Sequence, residues 1–337
     1  MTTATQIWTD VDYEKPGKQQ GYLHVPYSDN DAAWANILIP ITVVKNGTGP
    51  TLLAVGGTHG DEFEGCVALM KLACELVPEQ VQGRMIIIPA LNLPALRAGS
   101  RLSPIDGRNL NRAFPGRYND SVTGLIAHYV SSVLFPLADA VMDIHSGGKS
   151  LKFLPVPHLH RVPDEAQFQR MLAAAKAWGC EHILLYADIA GEGLLPVHAE
   201  EMGKVVITTE MGGEGQCSPE VLRMTETGIR NVMIQLGLMA GKIDAAPDSV
   251  EVIAAIDRKD YHLAPAPGIY ESFFEVGEKV DRGESVGQVH CPERHDCPPV
   301  EVVAQTSGIL VCRRFPGVTR QGDVVATIAY PIDVAGP

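Results

Sequence analysis

Short apolar runs punctuate the first two thirds of the chain. They are Thr51-Leu52-Leu53-Ala54-Val55, Met85-Ile86-Ile87-Ile88-Pro89, Ala138-Asp139-Ala140-Val141-Met142-Asp143-Ile144, His182-Ile183-Leu184-Leu185-Tyr186 and Val205-Val206-Ile207-Thr208-Thr209. None alternates strictly between apolar and polar, so each predicts a strand buried on both faces. Between them lie stretches with helical spacing: Val67 to Val77, Thr123 to Leu137, Asp164 to Trp178 and Pro219 to Met239. Ahead of them, Gly21 to Pro26 and Trp34 to Val44 read as strands, and Lys45 to Pro50 as a turn. Residues 1–20 read as an irregular lead-in. Such strands alternating with helices predict an α/β fold, a mainly parallel sheet covered by helices on both faces. Sheets of that kind bind ligands outside the carboxyl ends of their strands.

Near Ala245-Ala246-Pro247 the pattern changes, and from Val250 onward there are short strands and turns but no long helix. Pro265-Ala266-Pro267-Gly268-Ile269-Tyr270 is echoed by Thr306-Ser307-Gly308-Ile309-Leu310. Val276-Gly277-Glu278-Lys279-Val280 is echoed by Gly317 to Val324. Two copies of one motif predict a small all-β domain with internal pseudo-symmetry. The chain therefore divides into an α/β domain over 1–247 and a β-rich domain over 248–337. The second resembles the lipoyl/biotinyl type of barrel-sandwich. It has no counterpart of the lysine that such carriers modify at a hairpin tip, which argues against a swinging arm.

Composition narrows the partners. The 337 residues are 45% apolar, and 27 basic against 40 acidic residues leave a net charge of −13. That balance argues against nucleic acid and against an anionic membrane. The 7 cysteines are odd in number and scattered, as expected of reduced thiols in a cytoplasm. The first residues carry no signal-peptide pattern. No apolar stretch approaches the ~18 residues of a membrane span.

Chemistry gathers where buried runs meet glycines. The run 51–55 feeds Gly56-Gly57-Thr58-His59-Gly60-Asp61-Glu62-Phe63-Glu64-Gly65 and then a helical pattern. His59 and Glu62 are three apart at the expected helix start and so face one side. Zinc accepts an imidazole and a carboxylate so placed. H-x-x-E recurs at His198/Glu201 and His290/Glu293. Neither follows a buried strand, so both read as solvated surface pairs.

A catalytic zinc usually takes three protein ligands, and His145, at the end of 138–144 and before Gly147-Gly148, is a third candidate. Asp143 is placed either to orient a ligand histidine or to salt-bridge within the sheet. Glu210 ends another buried run before Gly212-Gly213. A carboxylate there is costly unless it faces a cleft or is paired. It reads as a general base and acid, with a fourth ligand or an ion pair as the alternatives.

The stretch from Ser103 to Gly116 is a long loop rich in Gly, Pro and Asn. Arg101, Arg108 and Arg112, with Asn111, either grip a substrate carboxylate or tie the loop down. His290-Cys291-Pro292-Glu293-Arg294-His295-Asp296-Cys297 is too crowded for a structural zinc site and reads as a surface loop.

His59-x-x-Glu62, Asn109-Leu110-Asn111-Arg112, His145 and Glu210 occur in the order found in one family. The chain resembles the succinylglutamate desuccinylase/aspartoacylase family, relatives of the zinc carboxypeptidases. Within it, Pro26-Tyr27-Ser28, Ser103-Pro104-Ile105-Asp106, Phe114-Pro115-Gly116, His145-Ser146-Gly147-Gly148-Lys149 and Glu200-Glu201-Met202-Gly203-Lys204 are most similar to the N-acetyl-diaminobutanoate deacetylases of ectoine breakdown. The resemblance implies a zinc-carboxypeptidase-like mixed sheet and one zinc per chain held by His59, Glu62 and His145. It implies Glu210 as the catalytic carboxylate, Asn111 and Arg112 as binders of the substrate carboxylate, and Arg101 as the oxyanion-stabilising residue. Arg108 is expected beside the substrate, Asp61 and Asp143 behind the ligands, and Ala187 to Leu195 along the acyl or side-chain pocket.

The expected activity is zinc-dependent hydrolysis of the amide of a small N-acyl amino acid, with deacetylation of N-acetyl-2,4-diaminobutanoate in ectoine breakdown as the reading the resemblance implies. Succinylglutamate- and N-acetylaspartate-type substrates, or a carboxypeptidase acting on small peptides, are the alternatives. A non-enzymatic metal-binding or lipoyl-like protein is a third reading, opposed by Glu210 beside a full ligand set. Surface strands of the C-terminal domain leave pairing into a homo-oligomer open.

Overall fold

The computed structural model describes residues 4–187, 191–244, 249–294 and 296–334. The division at 247/248, residues 188–190 of the expected pocket segment, and His295 lie outside the described residues.

Most of the strands form one mixed sheet. In spatial order its α/β part reads Gly17–Tyr27, Ala35–Asn46, Gly83–Ile88, Thr51–Gly56, Ala140–His145, Val205–Glu210, Val156–Leu159, His182–Tyr186 and Glu251–Ala255. Thr51–Gly56 pairs parallel with Gly83–Ile88 and Ala140–His145, and the latter pairs parallel with Val205–Glu210. These central strands are buried along nearly their whole length. That accounts for the unbroken apolar runs: both faces are covered. The long hairpin of Gly17–Tyr27 and Ala35–Asn46 flanks them antiparallel.

Several elements differ from the expectation. The lead-in over 1–20 holds the short strand Trp8–Thr9 and the start of Gly17–Tyr27, because both pair antiparallel in the sheet. Val156–Leu159 is a strand, antiparallel to Val205–Glu210 and parallel to His182–Tyr186. Pro155 and Pro157 argue against a strand there. Pro157 is tolerated because the ladder to His182–Tyr186 starts only at His158, so the strand is paired on one side at that point. The helix expected over 123–137 begins at Val122, passes through a π-helical turn at Val130–Leu134 and ends at Leu137. Leu195–Glu201 is a further short helix, with Pro196 in its first turn.

The β-rich part is stitched into the same sheet. Val324–Pro331 pairs with Glu251–Ala255 at one end and with Gly308–Arg314 along its length. Leu151–Phe153, from the α/β part, pairs with Gly308–Arg314. A second, four-stranded antiparallel sheet lies opposite, and Val286, Val302, Leu310, Val325 and Ile328 are buried together in the adjoining core. The two echoed motifs supply Gly268–Ser272 to one sheet and Gly308–Arg314 to the other. Among the described residues no helix is long and apolar enough to cross a membrane.

Candidate active site

Register builds the site. Gly56 pairs with Ile144, and His145 pairs with Glu210, so three neighbouring strands end together. The helix after the first strand begins at Glu64, not before Glu62. His59 and Glu62 therefore converge through the turn between strand and helix rather than through a helical face.

His59, Glu62 and His145 are all buried and bring one donor atom each within 4.8 Å of one another. Nδ1 of His59 lies 2.7 Å from Oε1 of Glu62, and Nδ1 of His145 lies 2.8 Å from Oε2. The opposite nitrogens are taken. Nε2 of His145 donates to Asp143 at 2.8 Å, and Nε2 of His59 donates to Asn109 at 3.1 Å. Each ring thus turns Nδ1 inward while a fixed oxygen holds its far side, the arrangement that suits a metal-binding histidine. Two imidazoles and a carboxylate are a donor set that fits zinc. Burial works against the charge on Glu62, but His59 and His145 outweigh it and hold the carboxyl well below its ordinary pKa.

Asp143 is fully buried and also accepts from the Thr58 hydroxyl at 2.8 Å. Asp143→Asn keeps the shape and removes the charge behind His145. Zinc affinity is expected to fall roughly 10- to 100-fold in that variant. Competition against a chromogenic chelator measures it, and an unchanged Kd would remove Asp143 from the metal centre.

Glu210 lines the same pocket, and its Oε2 is buried without a hydrogen-bond partner. Burial, then the nearby charge of Glu62, pushes its carboxyl up to about 8. Arg101 reaches over the ligands, with Nη1 3.3 Å from Glu62 Oε1. Asn111 and Arg112 line the pocket from the loop, and Asn111 Oδ1 accepts from the Leu195 backbone at 2.8 Å. Tyr261 and Thr327 of the β-rich part close the opposite side.

The catalytic-domain pattern of the succinylglutamate desuccinylase/aspartoacylase family matches residues 48–236. The chain belongs to that family. It is 41% identical to the N-alpha-acetyl-L-2,4-diaminobutyric acid deacetylase of Halomonas elongata, over 98% of this chain and 96% of that protein. The product-bound ectoine utilization protein EutE of Ruegeria pomeroyi superposes with a TM-score of 0.94 at 39% identity, covering 97% of this chain and 100% of that one. A succinylglutamate desuccinylase/aspartoacylase of Rhodobacter sphaeroides gives 0.94 at 38% identity, covering 98% and 100%.

Two expectations for this family member need correction. Arg108, expected beside the substrate, donates from Nη1 to Asp120 at 2.6 Å and to Ser121 at 3.0 Å, outside the pocket lining. It ties the loop down. Asp61, expected behind a ligand, instead accepts from the Lys149 backbone at 3.0 Å and so braces the turn that follows His145. The pair His198/Glu201 is a helix-surface contact at 3.6 Å, with Glu201 largely exposed. His290 is bonded to Glu271.

Three residues escaped the sequence reading. Asn109 orients His59 while capping the turn Leu110–Arg112. His158 enters the pocket from the unexpected strand. Glu64, in the first helical turn, is buried with Oε2 unpartnered, and burial pushes its carboxyl up to about 7. A carboxyl raised in the fold keeps a proton that the unfolded chain releases. Its contribution is complete below the ordinary carboxyl pKa and is lost as pH rises toward 7. In metal-stripped protein, Glu64→Gln is expected to reduce the stability lost between pH 5 and pH 8 by roughly 2–3 kcal/mol. Urea unfolding at both pH values reads this, and equal losses in the two proteins would refute it.

Proposed function

We propose that this chain is a zinc-dependent deacetylase that cleaves N-acetyl-2,4-diaminobutyrate into acetate and 2,4-diaminobutyrate. The observation that carries the reading is the meeting of two buried histidines, Glu62 and the unpartnered Glu210 carboxylate in one pocket. The 41% identity to a deacetylase of that substrate supports the choice of acyl group and amine. Zinc on His59, Glu62 and His145, when bound, acidifies water and polarises the amide carbonyl.

The chain's own residues do the rest. Glu210 takes the proton of the attacking water and returns it to the nitrogen as the C–N bond breaks. Arg101 stabilises the negative charge that develops on the carbonyl oxygen. Arg112 and Asn111 hold the α-carboxylate and so fix the amide against Glu210. We assign this chemistry to the unit over 1–247. The unit over 248–337 flanks the pocket and limits it to small substrates.

The test is metal analysis with a substrate panel. One zinc per chain is expected, with activity lost to chelation and restored by zinc. Acetate release from N-acetyl-2,4-diaminobutyrate should exceed turnover of succinylglutamate, N-acetylaspartate and dipeptides. A preference for any of those three would overturn the substrate assignment. Hydrolysis that survives complete removal of metal would overturn the chemistry.

A further inference from the structure

We propose that His158 is a specificity-determining residue that accepts a hydrogen bond from the side-chain ammonium of the substrate. The inference rests on the deacetylase reading above. Register puts the residue on the working face: His158 pairs with Thr208, two residues before Glu210 on the same strand, and with Leu184 on its other side. All four of these side chains line the pocket.

His158 is 6% exposed, yet neither ring nitrogen has a hydrogen-bond partner. The Thr209 backbone lies close enough to favour the protonated ring slightly, but forms no bond of good geometry. A buried polar group left unpaired carries a desolvation penalty. A ligand group that fills this position therefore removes an existing penalty.

The chemistry of the wall selects that group. Burial, followed by the charges of His145 and His160, drives the pKa of His158 well below its ordinary value. The neutral ring keeps one nitrogen lone pair as an acceptor. Tyr186 meets it edge-on at 4.5 Å, and Phe153 and Tyr261 extend the aromatic wall. Aromatic faces attract an alkylammonium and offer nothing to a carboxylate. The pocket-lining cations, Arg101 and Arg112, stand instead over the histidine–glutamate cluster and on the 103–116 loop. A substrate with its carboxylate on the loop and a cationic side chain toward His158 satisfies both ends. One with an anionic side chain does not.

The experiment compares Nα-acetyl-2,4-diaminobutyrate with Nα-acetylnorvaline, which replaces the ammonium by a methyl group. In zinc-loaded enzyme, His158→Leu is expected to lower the ratio of the two kcat/KM values roughly 10- to 100-fold. The change should fall mainly on KM for the amine substrate. His158→Gln, which keeps an acceptor, should recover part of the ratio. Equal losses on both substrates would overturn the proposal, because a merely structural histidine predicts that result. If the leucine variant does not fold, His158→Phe keeps the ring shape without either nitrogen and carries the same comparison. A wild-type enzyme inert on the diaminobutyrate derivative would overturn the deacetylase reading and this inference together. Wild-type turnover with an unchanged ratio in the variants would overturn the inference alone.

Discussion

Glu210→Gln is expected to lower kcat/KM for the acetylated substrate roughly 10²- to 10⁴-fold while zinc content stays at one per chain. The substitution is nearly isosteric and removes only the capacity to take up a proton. Glu210 stands beside His145 by strand register, and its Oε2 makes no hydrogen bond that the change would break. Stability is not expected to fall, since burial raises the carboxyl and opposes its charged form, and a neutral amide avoids the cost that grows as pH rises past the ordinary carboxyl pKa. Steady-state kinetics, metal analysis and a thermal melt on one preparation separate the outcomes. Near-wild-type turnover would end the general-base assignment. Loss of zinc along with activity would make Glu210 a fourth ligand instead.

The residues of this site were legible in the sequence for one physical reason. His59, Glu62, His145 and Glu210 each lie where a run buried on both faces gives way to glycine. In a parallel sheet those junctions share one edge, so residues far apart in sequence were expected to meet. The register Gly56–Ile144 and His145–Glu210 is how they do. Asp143 was open between two roles because an acid inside a strand carries no sign of its partner. The contact with His145 Nε2 favours the orienting role.

What stayed hidden depends on partners that no local pattern names. Arg108 and Arg112 look alike in the loop. Asp120 claims the first, while the second reaches the pocket. Asn109 stood in the loop motif without a role of its own, and nothing local points to the contact its side chain makes with His59. The strand carrying His158 was masked by its prolines, whose cost depends on which side of the strand is paired. The change in composition near residue 247 marks a change of pattern. It does not reveal that Glu251–Ala255 joins the sheet of the first unit or that Tyr261 and Thr327 enter its pocket.

The turn between His59 and Glu62 has no room for a side chain, and Gly60→Ala is expected to show it. A Cβ at Gly60 would lie 1.9 Å from the Ala95 carbonyl carbon and 2.2 Å from the Leu96 nitrogen. Both are backbone atoms of the helix Leu93–Ala98, so no rotamer change relieves the overlap. The Gly60 N–H also donates to the Ser100 carbonyl at 3.0 Å, which fixes the turn against the end of that helix. Either the helix moves away or the turn does, and the turn carries two of the three residues that could hold the metal. A destabilisation of at least about 3 kcal/mol is expected, at the upper end of overpacking changes. Zinc should be bound weakly or not at all.

Gly107→Ala is the matched control. Gly107 has φ +68° but open space around its missing Cβ. It should therefore cost only about 1 kcal/mol, from the left-handed backbone, and leave zinc in place. Chemical denaturation and metal content of the two variants distinguish crowding from conformational strain. A Gly60→Ala protein as stable as the Gly107→Ala protein, with full zinc, would show that the helix yields and that the turn owes nothing to its close approach.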